Sequence, residues 1–207
     1  MGVLMTFDDF DLRRAIRDLG LTLQPESKLF AHIDPIELSA ATRVYLHRYT
    51  PVALGVGSEK ARSVYMTLPV LTEALQHANG PANVLPGITL DVDRERGLSG
   101  ICDYLISRST EIYFLCEPIF SVVEAKREDI IAGLGPCVAS MVAIREFNER
   151  DGTPIPDVYG CVSSGNIWRF LKLNGANLLI DHTDYYSSEV AKIVGILVHI
   201  IGTGIRE

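Results

Sequence analysis

Two acidic residues and a lysine lie in apolar segments, where charged side chains are uncommon. Asp103 interrupts residues 99–105, SGICDYL, and residues 121–126, SVVEAK, place Glu124 and Lys126 two positions apart. An isolated buried carboxylate is costly unless a cation or hydrogen bonds compensate for it. Alternate residues of a strand share a face, so Glu124 and Lys126 project from the same side. If the two segments are neighbouring strands, as their short connection indicates, the three side chains converge on one point.

Such a set has the chemistry of a divalent-cation site. The carboxylates of Asp103 and Glu124, with the backbone carbonyl of Ala125, are hard oxygen ligands of the kind that Mg²⁺ or Mn²⁺ prefers. The Lys126 ammonium beside them could orient an attacking water and balance charge that grows on a phosphate. We therefore predict a metal site at Asp103, Glu124 and Ala125, with Lys126 as a catalytic residue.

These residues also have a purely structural interpretation. Asp103 could cap a turn or pair with Lys126 or Arg127, and Glu124 with Lys126 could form the solvated face of an edge strand. The apolar residues on both sides of the second segment favour burial.

The arrangement resembles the PD-(D/E)XK nuclease superfamily, and in particular the bacterial relatives of the amino-terminal nuclease domains of type I restriction subunits. The resemblance covers roughly residues 58–175. Residues 58–63 resemble the opening helix, residues 97–106 the acidic hairpin strand and residues 120–129 the second motif. A long helix and then a strand and hairpin over residues 158–173 continue the pattern.

This resemblance implies a restriction-endonuclease-like fold, in which helices flank a mixed central sheet. It also implies Mg²⁺ or Mn²⁺ as the cofactor, DNA as the substrate, and Asp103, Glu124 and Lys126 as the catalytic set. Glu59 occupies the position from which the first helix of the family often supplies a further carboxylate. Its place in the first turn of a helix, next to the positive end of the helix dipole, explains it equally well.

The chain departs from the family pattern in the residues that support the site. Many relatives have a glutamine or another polar residue on the inward face of the helix after the ExK motif. Here the corresponding positions hold Pro136, which we expect to interrupt the helix, and Ser140. Val64 replaces a carboxylate that is expected on the first helix. The second hypothesis is therefore a non-catalytic protein that keeps the nuclease fold as a binding or assembly module.

Composition and the remaining motifs narrow the function classes. The 207 residues include 19 basic and 26 acidic side chains, a net charge of −7. This balance argues against coating of nucleic acid or an anionic membrane by bulk charge, although it permits a local phosphate-binding groove. No Gly-rich phosphate loop with its lysine and no G-x-S-x-G elbow is present. Trp168 alternates with Phe170 and is predicted to be a core residue rather than a base-stacking platform.

The cysteines, histidines and apolar stretches indicate a cytoplasmic protein. The four cysteines have no CxxC spacing and the five histidines are scattered, so we expect reduced thiols and no zinc site. No signal-peptide pattern is present at the amino terminus. Residues 193–201, the longest apolar stretch, are far short of the ~20 residues that cross a bilayer, so we expect no membrane partner.

Periodicity predicts the elements that position these residues. Helices are predicted over residues 8–19, 34–50, 58–78, 129–149 and 187–201, with a kink or break at Pro69. Strands are predicted over residues 87–92, 98–107, 120–126, 158–162, 167–173 and 176–181, with turns at 94–97 and at Asn174-Gly175. This order indicates a mixed-sheet α/β protein. Residues 1–57 are predicted to form an N-terminal helical extension, and residues 58–207 the nuclease-like domain.

The last predicted helix is apolar around most of its circumference. In residues 190–201, VAKIVGILVHII, the polar side chains are Lys192 and His199. A helix of this kind must be covered on several sides, and a second subunit is an economical cover. We therefore predict a homodimer with Ile193, Leu197 and Ile200 at or near its interface. The alternative is that residues 1–57 fold back over the helix.

Overall fold

The computed structural model describes residues 5–24, 28–109, 111, 113, 115–116, 119–125 and 129–203, and at residues 120–122, 124 and 125 it describes the backbone alone. Within these residues the strands are β1 Thr22–Leu23, β2 Asn83–Asp93, β3 Leu98–Ser107, β4 Ile119–Ala125, β5 Asp157–Ser163, β6 Ile167–Asn174, β7 Asn177–Ile180 and β8 Tyr185–Tyr186. The helices are α1 Leu12–Asp18, α2 Ala40–Val56, α3 Glu59–Arg62, α4 Leu68–His77, α5 Ile130–Arg150 and α6 Val190–Gly202. A π-helical turn, Ser63–Thr67, joins α3 to α4, and short 3₁₀ turns precede α1 and α6.

The described strands form one mixed sheet in the order β1-β7-β6-β5-β4-β3-β2, with β8 paired to β6. β2, β3 and β4 form an antiparallel meander, and β4 then runs parallel to β5. α5 makes the crossover between these two strands, as a parallel connection requires. The predicted mixed α/β class is confirmed, and β3 has the predicted bounds. The two-residue strands β1 and β8 were not predicted.

Helices cover both faces of the sheet and form two hydrophobic cores. One core, called the α5 core here, lies between the sheet, α5, α1 and the 3₁₀ turn before α1, and it includes Phe10, Cys102, Leu105, Met141 and Val162. The second, called the α6 core, lies between the opposite face, α4 and α6, and it includes Phe30, Tyr104, Val123, Phe170 and Ile193.

α5 is long and apolar enough, by length and composition, to cross a membrane, but it is the central helix of the α5 core. Of its most apolar 18-residue window, 72% is buried inside the fold. Pro136 lies within α5 and, contrary to the prediction, does not interrupt it. Proline removes one backbone hydrogen bond from a helix interior, and the packing of α5 against both the sheet and α1 offsets that loss.

The other predicted helices differ from the observed ones near proline residues. α2 begins at Ala40, after the N-cap Ser39, and continues through Pro51 to Val56, although Pro51 was expected to end it. It ends at Gly57, whose φ of 66° is left-handed and costs glycine little. The irregularity expected at Pro69 is the preceding π turn, and Pro69 itself lies in the first turn of α4, which continues directly from that turn.

α6 is buried within the single chain, so the predicted position of Ile193, Leu197 and Ile200 at a dimer interface is wrong. The exposed fraction of these three residues is 0%, 1% and 1%, respectively. α4 packs against one side of α6, and residues 28–39 contribute further side chains to the same core. The apolar circumference of α6 is therefore explained without a second subunit, and the homodimer stays a prediction that has lost its supporting observation.

The region predicted as an N-terminal helical extension is integral to the fold. It supplies side chains to both cores and adds β1 to the sheet. Residues 28–39, called the strap here, cross α6: the Ile36 N–H donates a hydrogen bond of 2.9 Å to the Ala191 carbonyl. At Gly195 an added Cβ would lie 2.2 Å from the carbonyl oxygen of Asp34. The strap and α6 therefore meet in backbone contact.

Candidate functional site

The two strands that carry the predicted carboxylates are hydrogen-bonded neighbours. β3 and β4 pair in antiparallel register, with Tyr104 opposite Val123. One further step in this register places Glu124 opposite Asp103. Regular antiparallel partners are close in space and share a face, but the side-chain alternation of β3 breaks at Asp103, between Cys102 of the α5 core and Tyr104 of the α6 core. The register therefore brings the backbone positions of Asp103 and Glu124 together without giving them a common face.

The rest of the ExK segment is described less fully. At Glu124 and Ala125 the structure describes the backbone, which pairs with Val162 and Ser163 of β5. Lys126 lies outside the described residues. The convergence of the Glu124 and Lys126 side chains with Asp103 stays a prediction.

A surface pocket of about 370 Å³ joins Asp103 to Glu59. Asp103 is half-buried, whereas Glu59 is exposed at the first residue of α3, where the Ser58 hydroxyl caps the helix. The remaining lining residues are Lys60, Ser63, Pro86, Gly87 and Tyr104. Two carboxylates and one ammonium line this pocket, so its local charge favours a cation. The structure thus brings Glu59 to the same pocket as Asp103, on the helix from which the resemblance implies a carboxylate.

A change of face in the β2-β3 hairpin places Asp103 at this pocket. Side chains two residues apart on a strand normally share a face, yet Cys102 belongs to the α5 core and Tyr104 to the α6 core. Gly87 lies opposite Asp103, between the Pro86–Tyr104 and Ile88–Cys102 pairs, and its φ is 66°. Glycine adopts this conformation readily, so the hairpin can twist here. Asp103 therefore leaves the apolar alternation and faces the pocket.

The π turn fixes the pocket wall through a buried pair of hydroxyls. The hydroxyls of Ser63 and Tyr104 are 2.5 Å apart, and the Tyr104 hydroxyl also lies 3.1 Å from the Ser63 carbonyl, to which it donates. Burial raises the pKa of Tyr104, the Ser63 hydrogen bond opposes this effect, and Asp103 adds to it. Tyr104 therefore keeps its proton at neutral pH and acts as a structural donor beside Asp103.

The turn between β5 and β6 forms a second buried polar cluster next to the end of β4. The Ser163 hydroxyl accepts a 2.9 Å hydrogen bond from the Gly165 N–H and lies 3.4 Å from the Thr67 hydroxyl. The Trp168 indole N–H donates to the Gly165 carbonyl at 3.2 Å. Trp168 is 1% exposed. Its predicted place in the core is confirmed, and it cannot serve as a stacking platform for a base.

The three positions that depart from the family pattern lie away from the pocket. Pro136 and Ser140 are buried in α5, which packs on the opposite face of the sheet from Ser63 and Tyr104. Among the described residues the Ser140 hydroxyl finds no hydrogen-bond partner. Val64 lines a separate groove beside α2.

The described donors fit a hard divalent cation in type but not in number. Carboxylate oxygens suit Mg²⁺ or Mn²⁺, and Glu59 and Asp103 supply two carboxylates to the pocket. Within the described part of the chain, no group of three or more histidine, cysteine, aspartate or glutamate side chains could hold a metal ion. Completion of the ligand set depends on Glu124.

Comparison with known proteins adds no relative. No protein-family model, no curated protein and no solved structure matches this chain. What the protein does must therefore be inferred from the residues around the pocket.

Sequence reasoning missed five residues of the pocket: Lys60, Ser63, Pro86, Gly87 and Tyr104. Lys60 and Ser63 are unremarkable polar residues at the start of a helix, and their spacing alone gives no signal. The Pro86-Gly87 dipeptide did carry one, because a glycine after a proline within a strand is typical of a bend or bulge. Read in this way, it would have placed the bend of the hairpin opposite Asp103.

Proposed function

We propose that the protein is a Mg²⁺- or Mn²⁺-dependent phosphodiesterase that acts on DNA and has a restriction-endonuclease-like fold. The element order supports the fold proposal: a helix precedes the β2-β3-β4 meander, and α5 then leads to the parallel strand β5. The observation that carries the function is the pocket that Glu59 and Asp103 share. The backbone of Glu124 lies one position beyond the Tyr104–Val123 pair of β3 and β4, next to that of Asp103.

In this proposal each residue has a distinct role. Asp103, Glu124 and the Ala125 carbonyl hold the cation, and Glu59 supplies a further carboxylate from α3. The cation supplies Lewis-acid stabilisation of the charge that develops on the phosphate. The Lys126 ammonium orients the attacking water and balances the same charge. Tyr104, hydrogen-bonded to Ser63, keeps α3 and the π turn against β3, so that the carboxylates stay in place.

A second candidate is a binding or assembly module that keeps the fold without catalysis. The positions of Pro136 and Ser140 favour it, because neither side chain reaches the pocket. The chain would then contact its partner through the same face but would not hydrolyse it.

Metal binding and cleavage separate the two candidates. We expect calorimetry to detect Mn²⁺ binding to the wild-type protein and its loss in Glu124→Ala and Asp103→Asn. We expect cleavage of DNA with Mg²⁺ or Mn²⁺, abolished by chelation and by Lys126→Ala. Glu95→Gln, in the exposed β2-β3 turn, is the matched control and should change neither property.

The same measurements can also reject the nuclease proposal. A folded wild-type protein that cleaves neither single- nor double-stranded DNA with either metal, and binds no Mn²⁺, would reject the nuclease proposal in favour of the module.

Sedimentation of the same preparation tests the predicted homodimer, and localisation of a tagged protein tests the predicted cytoplasmic location. A species of 22.8 kDa at micromolar concentration would reject the dimer.

A further inference from the structure

Residues 40–67, which form α2, α3 and the π turn, are more basic than the rest of the protein. Residues 40–67 contain four basic side chains, Arg43, Arg48, Lys60 and Arg62, and one acidic side chain, Glu59. This segment therefore has a formal net charge of +3 within a chain of −7, which leaves −10 for the remainder. Arg43 is paired with Glu37 of the strap and Arg62 is half-buried, so the basic character of this face rests on the exposed Arg48 and Lys60, which can attract a polyanion locally.

Three tyrosines form an aromatic column on this face. The ring centroids of Tyr45 and Tyr49 are 4.6 Å apart, and those of Tyr49 and Tyr65 are 5.3 Å apart with the two rings nearly parallel. The Arg48 guanidinium lies 5.6 Å from the centroid of the Tyr49 ring. All three tyrosines are partly exposed. Neighbouring aromatic rings and an arginine are the parts from which proteins build stacking platforms for nucleobases.

One end of this column, at Tyr45, lines an apolar groove of about 370 Å³ between α2, the π turn and the start of α4. The groove residues are Ala41, Thr42, Tyr45, Val64, Leu68, Pro69 and Thr72. Its walls are mostly hydrocarbon, so it suits the flat apolar surface of a base rather than a phosphate. A base in the groove would stack on the Tyr45 ring and extend the column by one member.

The groove and the candidate metal pocket lie on the same helical segment. Val64 lines the groove, and Lys60, four residues earlier, lines the pocket that holds Glu59 and Asp103. Residues four apart on a helix are neighbours, about one turn or 5.4 Å along the axis. A strand with one base in the groove would therefore pass Lys60 on its way to the carboxylates.

We propose that this face holds a single-stranded segment of nucleic acid, with one base stacked on Tyr45 in the groove and with Arg48 and Lys60 contacting the backbone phosphates. The inference rests on the proposed function, since it names the form in which the substrate reaches the metal pocket. Only an unpaired base can offer its ring face to Tyr45, so single strands bind more tightly than duplexes. Stacking reads no base edge, so binding tolerates many sequences.

The test measures binding without cleavage. Fluorescence anisotropy of a labelled oligothymidylate, with EDTA present, reports affinity even if catalysis is absent. We expect Tyr45→Ala to weaken binding about 10-fold or more, because base–aromatic stacking contributes about that much. Tyr45→Phe keeps the ring and should restore the affinity. Tyr186→Ala, which removes a tyrosine 46% exposed on β8, is the matched control and should not change it.

Salt dependence identifies the phosphate contact. For a single strand each neutralised phosphate contributes about 0.7 to the slope of log affinity against log salt. Lys60→Gln should reduce that slope by about 0.7, whereas Tyr45→Ala should lower the affinity and leave the slope unchanged.

Failure of this inference differs from failure of the proposed function. Metal-dependent cleavage by a protein whose oligonucleotide affinity is unchanged in Tyr45→Ala would overturn the inference and keep the nuclease. Binding that depends on Tyr45, without any cleavage, would keep the inference and reject the nuclease. Tighter binding of a duplex would overturn the inference. Absence of oligonucleotide binding would also overturn it. If the protein were then a dimer that Val44→Asp dissociates, the surface of α2 would face a second copy of the chain instead.

Discussion

Substitution of Glu73 tests whether one buried carboxylate joins α2 to α4. Glu73 is 0% exposed, and it accepts hydrogen bonds from the backbone N–H and hydroxyl of Ser39, from the hydroxyl of Thr42 and from the ring of His77. Ser39 is the N-cap of α2, so the carboxylate of α4 fixes the start of α2. The orientation of α2, and with it the basic face, depends on this contact.

The pKa of Glu73 gives the magnitude. Burial acts to raise it, but the hydrogen bonds from Ser39, Thr42 and His77 together outweigh burial and lower it from 4.5 to about 2. Each pKa unit corresponds to 1.36 kcal/mol, so the ionised carboxylate contributes about 3 kcal/mol to the free energy of unfolding. Because the folded-state pKa is depressed, this contribution is complete above about pH 5 and is lost as the pH falls towards 2.

Urea unfolding at several pH values checks both parts of this reasoning. At pH 7 we expect Glu73→Gln to lower the free energy of unfolding by about 3 kcal/mol. The glutamine amide would place its own N–H groups against the N–H and hydroxyl donors of Ser39 and Thr42, and these donors would lose their acceptor. The wild-type protein should lose stability between pH 5 and 2 more steeply than the variant. The matched control is Glu37→Gln, whose carboxylate is 87% exposed in an ion pair with Arg43 and should matter by less than about 1 kcal/mol. A loss below about 1 kcal/mol in Glu73→Gln, or equal pH dependence in both proteins, would refute the reasoning.

Three further predictions use packing and thiol chemistry. Gly195→Ala should lower the free energy of unfolding by about 1–3 kcal/mol in thermal or urea unfolding, since its Cβ would lie 2.2 Å from the Asp34 carbonyl oxygen. Gly202→Ala, in the same helix, is its control and should not be destabilising, because a Cβ added there would meet no neighbouring atom within 4 Å. A thiol reagent should label native protein rapidly at the half-buried Cys116, and Cys116→Ser should remove that phase, because the other three cysteines are buried. Tyr104→Phe should cost about 1 kcal/mol in urea unfolding through loss of its hydrogen bonds to Ser63, and an unchanged midpoint would contradict that role.

The parts of the fold that local pattern determines were predicted well. β3 was found with its observed bounds, and α5 and the Asn174-Gly175 hairpin were found within a residue or two, because apolar periodicity and turn residues are signals within a few positions of one another. Strand β1 was missed because its two residues pair with β7, about 155 positions later, and nothing near Thr22 encodes that partner. Strand β2 begins before its predicted start because Pro86 is tolerated on an edge strand, where a missing N–H leaves no ladder bond broken.

The two strands of the candidate site could be predicted from the sequence, but the residues that line the rest of its pocket could not. The adjacency of the segments that carry Asp103 and Glu124 follows from their short connection. The change of face opposite Gly87 does not, since the sequence predicts two regular strands and the twist depends on the conformation of one glycine. The pocket shared by Asp103 and Glu59 likewise depends on how α3 is held against β3, which the contact between Ser63 and Tyr104 determines.

The strap has a consequence for the order in which the protein assembles. It is synthesised about 150 residues before α6, yet Ile36 and Asp34 close over that helix. Contacts so distant in sequence form late and slowly, because the chain between them must first become compact. Until they form, the apolar side of α6 is open to any neighbouring chain. A chain deprived of residues 1–39 should therefore self-associate through Ile193 and Leu197, so that these side chains would meet a second subunit in the truncated protein rather than in the whole one.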